Sequence, residues 1–201
     1  MAEAPFKTKE MKHNIIQSIK LTLAFCVVLS VGYVFILWLF GLVAGPGHGR
    51  PEKVELEGRV VGAANVGQNF SEDIYFWGRP SAVDYNANGS GGSNKGPTNE
   101  EYLSELEVRI DSFLVAHPYL DRSEVPAEMV TASGSGLDPD ISPEAARVQV
   151  RRVAEARGMS VEAVKGILNE HIHYPLLGLF GPSKVNVLEL NVAMDEVNKN
   201  N

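Results

Sequence analysis

Cysteine is almost absent from this sequence: Cys26 is the single one among 201 residues, and it lies in an apolar run. The rest of the chain therefore has no disulfide and no cysteine-based zinc or redox motif. Basic residues are also outnumbered, with 18 Lys and Arg against 25 Asp and Glu. Residues 1–45 carry a net charge of +2 and the remainder carries −9. Because so acidic a domain repels polyanions, we expect no nucleic-acid partner.

Charged residues are missing from residues 21–45, which read LTLAFCVVLSVGYVFILWLFGLVAG. About 20 apolar residues suffice for a helix to cross the hydrocarbon, so this run predicts a transmembrane helix. A cleaved signal peptide has a shorter apolar core, and a buried helix is rarely apolar on every face. The predicted organisation is a short tail (1–20), a span (21–45), a linker (46–52) and one soluble domain (53–201).

The orientation of the span depends on a small difference in basic residues. Four lysines precede it, whereas Arg50, Lys53 and Arg59 follow it closely. By the positive-inside rule this margin favours a cytoplasmic N-terminus. The expected location is the cell membrane, with a single span and an extracytoplasmic domain.

An α+β fold is predicted for the soluble domain, because strand-like and helix-like patterns both occur. Residues 54–61 predict a hairpin that turns at Glu57-Gly58, and residues 100–116 predict an amphipathic helix. Ser-Pro-Glu at residues 142–144 is a strong helix start, and that helix is expected to reach residue 157. Another helix is predicted from Ser160. The apolar residues 184–192 (KVNVLELNV) predict a buried strand.

Residues 78–99 are rich in Gly, Asn and Ser and admit two interpretations. They could form a flexible linker. Alternatively, Tyr75, Phe76 and Trp77 just before the stretch, together with Tyr85 within it, would anchor a structured loop.

The chemical motifs in the sequence are all incomplete. Residues 133–136 (Ser-Gly-Ser-Gly) lack the lysine of a Walker loop and the spacing of a hydrolase elbow, so they fit a turn. Residues 138–142 begin like a calcium loop, but later positions lack its required Gly and Glu. The pair His171 and His173 has too few neighbouring ligands for a metal site. We therefore predict no catalytic residues and no metal.

The order of several longer motifs resembles a known family, the C subunit of the Kdp-type ATP-driven potassium transporter of bacteria and archaea. The resemblance covers roughly residues 15–195. It is carried by residues 67–70 (GQNF), 75–82 (YFWGRPSA), 85–86 (YN), 90–94 (SGGSN), 96–99 (GPxN), 125–126 (VP), 130–139 (VTASGSGLDP), 141–146 (ISPxAA), 149, 152–154, 157–158 and 185–191 (VNVLxLN).

Three places depart from the pattern of that family. Residues 171–173 read His-Ile-His where the family commonly has His-Thr-Glu. Residues 182–184 read Pro-Ser-Lys where an acidic residue and an arginine are usual, and Asp140 stands where histidine is frequent. The resemblance therefore assigns no role to those side chains.

The resemblance implies a non-catalytic subunit that assembles and regulates a high-affinity potassium-import complex. Its three implied partners are a channel-like potassium-translocating subunit, a P-type ATPase subunit and a small single-span subunit. Members of the family have been described as catalytic chaperones that raise the affinity of the ATPase subunit for ATP. No firmly bound cofactor is expected, and ATP would be met through the ATPase partner.

Two sets of candidate site residues follow from the resemblance. Ser133, Ser135 and Gln149 resemble a signature-type Gly/Ser…Gln pattern and are candidates for nucleotide contact. The alternative is that they are two turn residues and a helix-surface glutamine. For contact with partner subunits, the candidates are aromatic and polar residues in and just before the 78–99 loop: Tyr75, Phe76, Trp77, Arg79, Tyr85 and Asn94. A loop packed only on itself is the alternative.

Two other classes of function remain open on sequence alone. One is a membrane-anchored extracytoplasmic sensor or ligand-binding domain that acts by itself. The other is an anchored hydrolase that uses the serine-rich loops.

Overall fold

A computed structural model describes residues 4–199 of the chain, which divides into two compact units between Pro51 and Glu52. Each unit has its own architecture. The first is helical, and the second combines helices with two small sheets. The α+β class predicted from the sequence is confirmed.

The first unit is one long helical stretch made of three segments. These are α1 (Ala4–Cys26), a π-helical segment (Val27–Tyr33) and α2 (Val34–Ala44). The part Glu10–Ala44 is long and apolar enough to cross a membrane, and none of its most apolar window is buried. The helix extends well before residue 21, because no glycine or proline interrupts residues 6–31.

The second unit begins with an antiparallel hairpin of β1 (Lys53–Leu56) and β2 (Arg59–Ala63). Glu57 and Gly58 connect the strands with φ angles of 55° and 75°. Two successive positive φ angles are typical of the type I′ turn, whose twist matches that of paired strands. The hairpin predicted at this place is confirmed.

Helix α3 (Glu100–Ala116) has the bounds predicted for it. It begins at Asn99, whose side-chain oxygen accepts the N–H of Tyr102 at 2.9 Å. This bond satisfies one of the free N–H groups of the first turn, and Glu100 and Glu101 favour the positive end of the helix dipole.

The single helix predicted over residues 142–157 is wrong in one respect, because it is divided into α4 (Pro143–Arg147) and α5 (Val150–Arg157). The hydroxyl of Tyr119 lies between them. It donates to Val148 O at 2.9 Å and accepts from Arg152 N at 3.2 Å. An unbroken helix would join these two groups by a backbone hydrogen bond, so the inserted hydroxyl takes the place of that bond.

A three-stranded antiparallel sheet lies behind these helices, with β5 (Lys184–Asn186) between β3 (Asp140–Ile141) and β4 (Ile172–His173). The helix predicted from Ser160 is confirmed as α6 (Val161–Glu170), which precedes β4.

The strand predicted over residues 184–192 is wrong after its third residue. The chain turns into α7 (Val187–Lys199) directly after Asn186. The side-chain oxygen of Asn186 accepts the N–H of Glu189 at 3.1 Å, as an N-cap does. Buried residues then recur at Val187, Leu190 and Met194, which is a helical spacing. The strand prediction used only the nine residues 184–192, too few to show that spacing.

The core of the second unit lies where these helices meet the sheet. Its fully buried apolar side chains come from residue 76, from β3 and β5, and from α5, α6 and α7: Phe76, Ile141, Val153, Val164, Leu168, Val185, Leu190 and Met194.

Candidate functional site

Residues 73–77, just before the glycine-rich loop, have no helix or strand, yet each of their five carbonyl groups accepts a hydrogen bond from a side chain. Irregular backbone needs such partners when it is buried. The bonds are Arg152 Nη1 to Asp73 O (2.7 Å), Arg157 Nε to Ile74 O (2.6 Å), Arg152 Nη2 to Tyr75 O (3.0 Å), Asn191 Nδ2 to Phe76 O (3.0 Å) and Gln149 Nε2 to Trp77 O (3.2 Å).

Gln149 and Asn191 each bind both backbone groups of one residue, as a neighbouring strand would. The side-chain oxygen of Gln149 accepts the N–H of Trp77 at 2.8 Å, and that of Asn191 accepts the N–H of Phe76 at 2.8 Å. Both amides are buried, with relative exposures of 0% and 1%. Gln149 is therefore not the helix-surface residue considered as an alternative, because its amide replaces a missing strand.

Arg152 joins this segment to α3 through an aromatic cluster. Its guanidinium lies 4.1 Å from the ring centre of Trp77 and donates from Nε to His117 Nε2 at 3.0 Å. Burial lowers the pKa of His117 to about 4, so the imidazole is neutral at pH 7. Burial also lowers the pKa of Arg152 to about 10, which leaves the guanidinium charged at neutral pH.

Arg157 holds the same segment against α7. Besides its bond to Ile74, it donates to Met194 O at 3.0 Å and forms an ion pair with Asp195 at 2.8 Å. Its side chain is 2% exposed. The two buried arginines, both on α5, thus hold the carbonyl groups of residues 73–75.

The glycine-rich residues 78–99 form a structured loop rather than a flexible linker. The loop is bound to the turn at residues 133–137, the first four of which are predicted as a turn from the sequence. Four hydrogen bonds join the two segments: Ser133 N to Pro80 O (3.0 Å), Gly91 N to Ser135 O (2.8 Å), Ser90 Oγ to Ser135 O (3.0 Å) and Ser81 Oγ to Gly136 O (2.7 Å).

A surface pocket of about 270 Å³ lies at the start of this loop. Its lining includes Phe70, Ser71, Trp77, Arg79, Asp84 and Tyr85. The Tyr85 hydroxyl donates to Arg79 O at 2.5 Å, and the Arg79 guanidinium is paired with Asp138 at 3.1 Å. Arg79 Nε is buried without a hydrogen-bond partner. Burial, with the nearby Asp138 carboxylate, raises the pKa of Tyr85.

The six candidate partner-contact residues do not lie on one surface. Trp77, Arg79 and Tyr85 meet at the pocket, and each is half-buried. Asn94 is exposed elsewhere on the loop, at a φ of 53°. Phe76 has no exposed surface, so its role is in the core.

Tyr75, the remaining candidate, is half-buried and donates to Asp195 at 3.3 Å. The pocket therefore defines a candidate contact surface that is smaller than the sequence suggested. Contact of that surface with a partner stays a prediction.

The three candidate nucleotide-contact residues each have a partner of their own. The buried Ser133 accepts the N–H of Gly136 at 2.9 Å, and the exposed Ser135 accepts the N–H of Leu137 at 3.1 Å. Gln149 is bonded to residue 77 and not to either serine. The serines thus share one turn, and Gln149 lies in a separate network. Nucleotide contact stays a prediction.

One residue from each of the three places that depart from the family pattern lines a small polar pocket of about 140 Å³: Asp140, His173 and Lys184. Lys184 is paired with Asp140 on the neighbouring strand at 2.7 Å, and His173 lies 3.3 Å from Glu189. The other member of the histidine pair, His171, contacts Ile167 O instead. Within residues 4–199, no group of three His, Cys, Asp or Glu is placed to hold a metal ion.

Sequence reasoning missed the residues that position the pocket, chiefly Arg152, Arg157 and Asn191. Each had been noted only as part of a matching motif. One signal was available for Arg152, since a charged residue next to the apolar Val153 and Ala154 has to find buried partners. Nothing local indicates that those partners are backbone groups about 80 residues away.

Comparison with known proteins agrees with this architecture. A family model described as KdpC, the c chain of the K⁺-transporting ATPase, matches residues 15–196. The chain belongs to this family. It is 63% identical over 185 residues to a potassium-transporting ATPase KdpC subunit from Phocaeicola vulgatus, covering 91% of this chain and 98% of that protein.

Two further relatives carry the same name. The one from Bacteroides fragilis is 62% identical over 186 residues, covering 92% of this chain and 97% of that protein. The one from Flavobacterium psychrophilum is 52% identical over 185 residues, covering 92% and 98%. Matches of this extent include both the apolar helix and the soluble domain, so the family assignment covers the whole architecture. The apolar helix and the family together fit a membrane-anchored protein.

Proposed function

We propose that this chain is a non-catalytic subunit that assembles and regulates a high-affinity, ATP-driven potassium-import complex. Membership of the K⁺-transporting ATPase c-chain family supports a role as a subunit. The partners would be the channel-like subunit, the P-type ATPase subunit and the small single-span subunit that the family resemblance implies. The effect on ATP affinity would then be exerted through the ATPase subunit.

The observation that carries a partner-binding role is the rigid presentation of the pocket. The loop that lines it has no helix or strand, yet it is bound to the 133–137 turn and preceded by a segment whose carbonyls are all bonded. A surface fixed in advance loses little conformational freedom on association, which favours binding. Trp77, Arg79 and Tyr85 are residue types that dominate binding energy at interfaces.

The apolar helix is proposed to contribute a second contact, within the membrane. Gly32 and Ser30 lie in the π-helical segment, and a Cβ added at Gly32 would meet no atom within 4 Å. Small residues let neighbouring membrane helices approach closely. The helix would therefore dock against partner spans as well as anchor the domain.

The domain is proposed to lie outside the cytoplasm, because four lysines precede the span and three basic residues follow it. An external domain could not meet cytoplasmic ATP directly. Regulation would then pass through the membrane-embedded parts of the complex. Ser133, Ser135 and Gln149 would have a structural role only, through the hydrogen bonds described above.

Co-purification with a matched pair of variants tests the contact surface. Ser71 is exposed and lines the pocket, whereas Ser104 is exposed on α3. With the complex expressed whole, Ser71→Arg should reduce the ATPase subunit recovered with the tagged chain, and Ser104→Arg should not. If the unmodified tagged chain purifies in detergent as a monomer without the other subunits, the subunit role is wrong. Full recovery with Ser71→Arg would remove only the pocket from the proposal.

A reporter fused after Asn201 tests the orientation. Activity of a reporter that works only outside the cytoplasm is expected. Activity of a cytoplasmic reporter would contradict the external placement and make direct contact with ATP possible again. Regulation is tested separately, since the KM of the complex for ATP should rise when this chain is omitted.

A further inference from the structure

Residues 174–183 (YPLLGLFGPS), which we call the apolar loop, connect β4 to β5 and carry no charge. Their large apolar side chains face outward. The exposed fractions are 73% for Tyr174, 70% for Leu176, 80% for Leu177, 80% for Leu179 and 66% for Phe180. A contiguous apolar surface of this kind marks a binding site for another protein or a membrane.

The apolar loop is a compact turn held by its own backbone. Gly178 N donates to Pro175 O at 2.9 Å, and Phe180 N donates to Leu176 O at 3.1 Å. Leu177 at its tip has a φ of 56°, a left-handed conformation that is strained for leucine. The fold gains no burial from this strained, exposed side chain, and such outliers point to a function outside the fold.

The base of the apolar loop lies beside the point where the domain begins. His173 and Lys184, which flank the loop, are paired across β4 and β5. Both line the 140 Å³ polar pocket together with Glu52, the first residue of the second unit. Only residues 45–51 separate Glu52 from the end of the apolar helix. Seven residues reach at most roughly 25 Å, so chain length alone limits how far the loop base can be from the end of the apolar helix.

We propose that the apolar loop inserts into the lipid–water interface beside the membrane anchor. The driving force is burial of apolar surface, because the loop has no charge with which to bind lipid headgroups. The acidic net charge of the domain gives anionic lipid no advantage. The tether makes this second contact intramolecular, so even a weak affinity is sufficient. Insertion of the loop only to the depth of the lipid–water interface suits its leucine, phenylalanine and tyrosine side chains.

An environment-sensitive label at the tip tests this proposal in the full chain without other subunits. Cys26→Ser leaves no cysteine, so Leu177→Cys can carry a single nitrobenzoxadiazole label, and Val115→Cys is the matched control. Val115 is an apolar residue on α3 that is 82% exposed. In phosphatidylcholine nanodiscs, emission from position 177 should shift to the blue. Doxyl-labelled lipid should quench it several-fold more strongly than position 115, with little dependence on salt or on added anionic lipid.

Two outcomes would overturn the proposal. Equal emission and equal lipid quenching at positions 177 and 115 would show that the loop stays in water. Protection of position 177 only when the other subunits are present would assign the loop to a protein interface instead. Because the first of these measurements uses the chain alone, equal quenching at the two positions would leave the proposed subunit role untouched. Tyr174→Ser with Phe180→Ser, both at exposed positions, should weaken lipid quenching at 177 without changing the circular dichroism spectrum.

Discussion

Arg152 donates its Nε–H to Nε2 of His117 at 3.0 Å, and this bond fixes the tautomer of a wholly buried imidazole. A guanidinium only donates, so Nε2 has to accept and the ring proton lies on Nδ1. Nδ1, which carries that proton, lies 2.8 Å from Phe113 O and donates to it. A second proton would have to point at a buried cation. The bond thus joins α3 to α5 only while His117 is neutral.

The first prediction is an acid sensitivity that comes from His117. Its pKa falls from 6.5 in the unfolded chain to about 4 in the fold, so the unfolded state binds more protons between these values. The contribution of neutral His117 to the free energy of unfolding is fully present above pH 6.5. It is lost as the pH falls toward 4, by about 3 kcal/mol in all. Urea unfolding of the detergent-solubilised chain, followed by Trp77 fluorescence in a Trp38→Phe background, measures this loss.

His117→Gln provides the comparison, because an amide does not titrate in this range. The variant should be less stable at pH 8, but its stability should fall less between pH 7 and pH 4.5. Parallel pH profiles for the two proteins would contradict the assignment to His117.

The second prediction contrasts two glycines of the 133–137 turn. Gly136 has a φ of 68°, and a Cβ there would lie 2.5 Å from Val83 Cγ2 and 2.8 Å from Gly91 O. Gly136→Ala should therefore cost about 2 kcal/mol and loosen the 78–99 loop. Faster tryptic cleavage at Lys95 would report the loosening. Gly134→Ala meets no atom within 4 Å and should leave both stability and cleavage unchanged.

The third prediction concerns Gln149, a residue with both a structural and a nucleotide-binding interpretation. Gln149→Ala leaves the N–H and C=O of Trp77 buried without partners, which should cost about 2–4 kcal/mol. Arg151→Ala, at an exposed neighbour, should change stability by less than about 0.5 kcal/mol. Thermal unfolding of both variants makes the comparison. Unchanged stability of Gln149→Ala, with a weaker response of the complex to ATP, would favour nucleotide contact.

The fourth prediction compares two arginine–carboxylate pairs that differ in burial. Arg157 is 2% exposed and binds two carbonyls besides Asp195, so Arg157→Leu should cost about 3 kcal/mol or more. Arg122 is 49% exposed in its pairs with Glu107 and Asp111, and Arg122→Ala should cost less than about 1 kcal/mol. Denaturant midpoints of the two variants would test this order, and equal midpoints would contradict it.

The sequence by itself determined the local features of this protein. The uncharged run of residues 21–45, the Glu57-Gly58 turn, the bounds of α3 and the cap at Ser142 all follow from patterns within a few residues. Such features depend on backbone propensity, capping and hydrophobic period, which neighbouring residues set. The ordered motifs also identified the family, which the comparisons confirmed.

Only the tertiary structure decided what those elements do to one another. The hydroxyl of Tyr119 divides a helix that its own sequence would continue, and the strand-like residues 187–192 become helical because their buried positions recur at helical spacing. Gln149 and Arg152 read locally as polar helix residues, yet they bind backbone that lies more than 70 residues earlier. A buried polar group has to find a partner wherever the chain brings one, and that distance along the sequence is invisible to any local pattern.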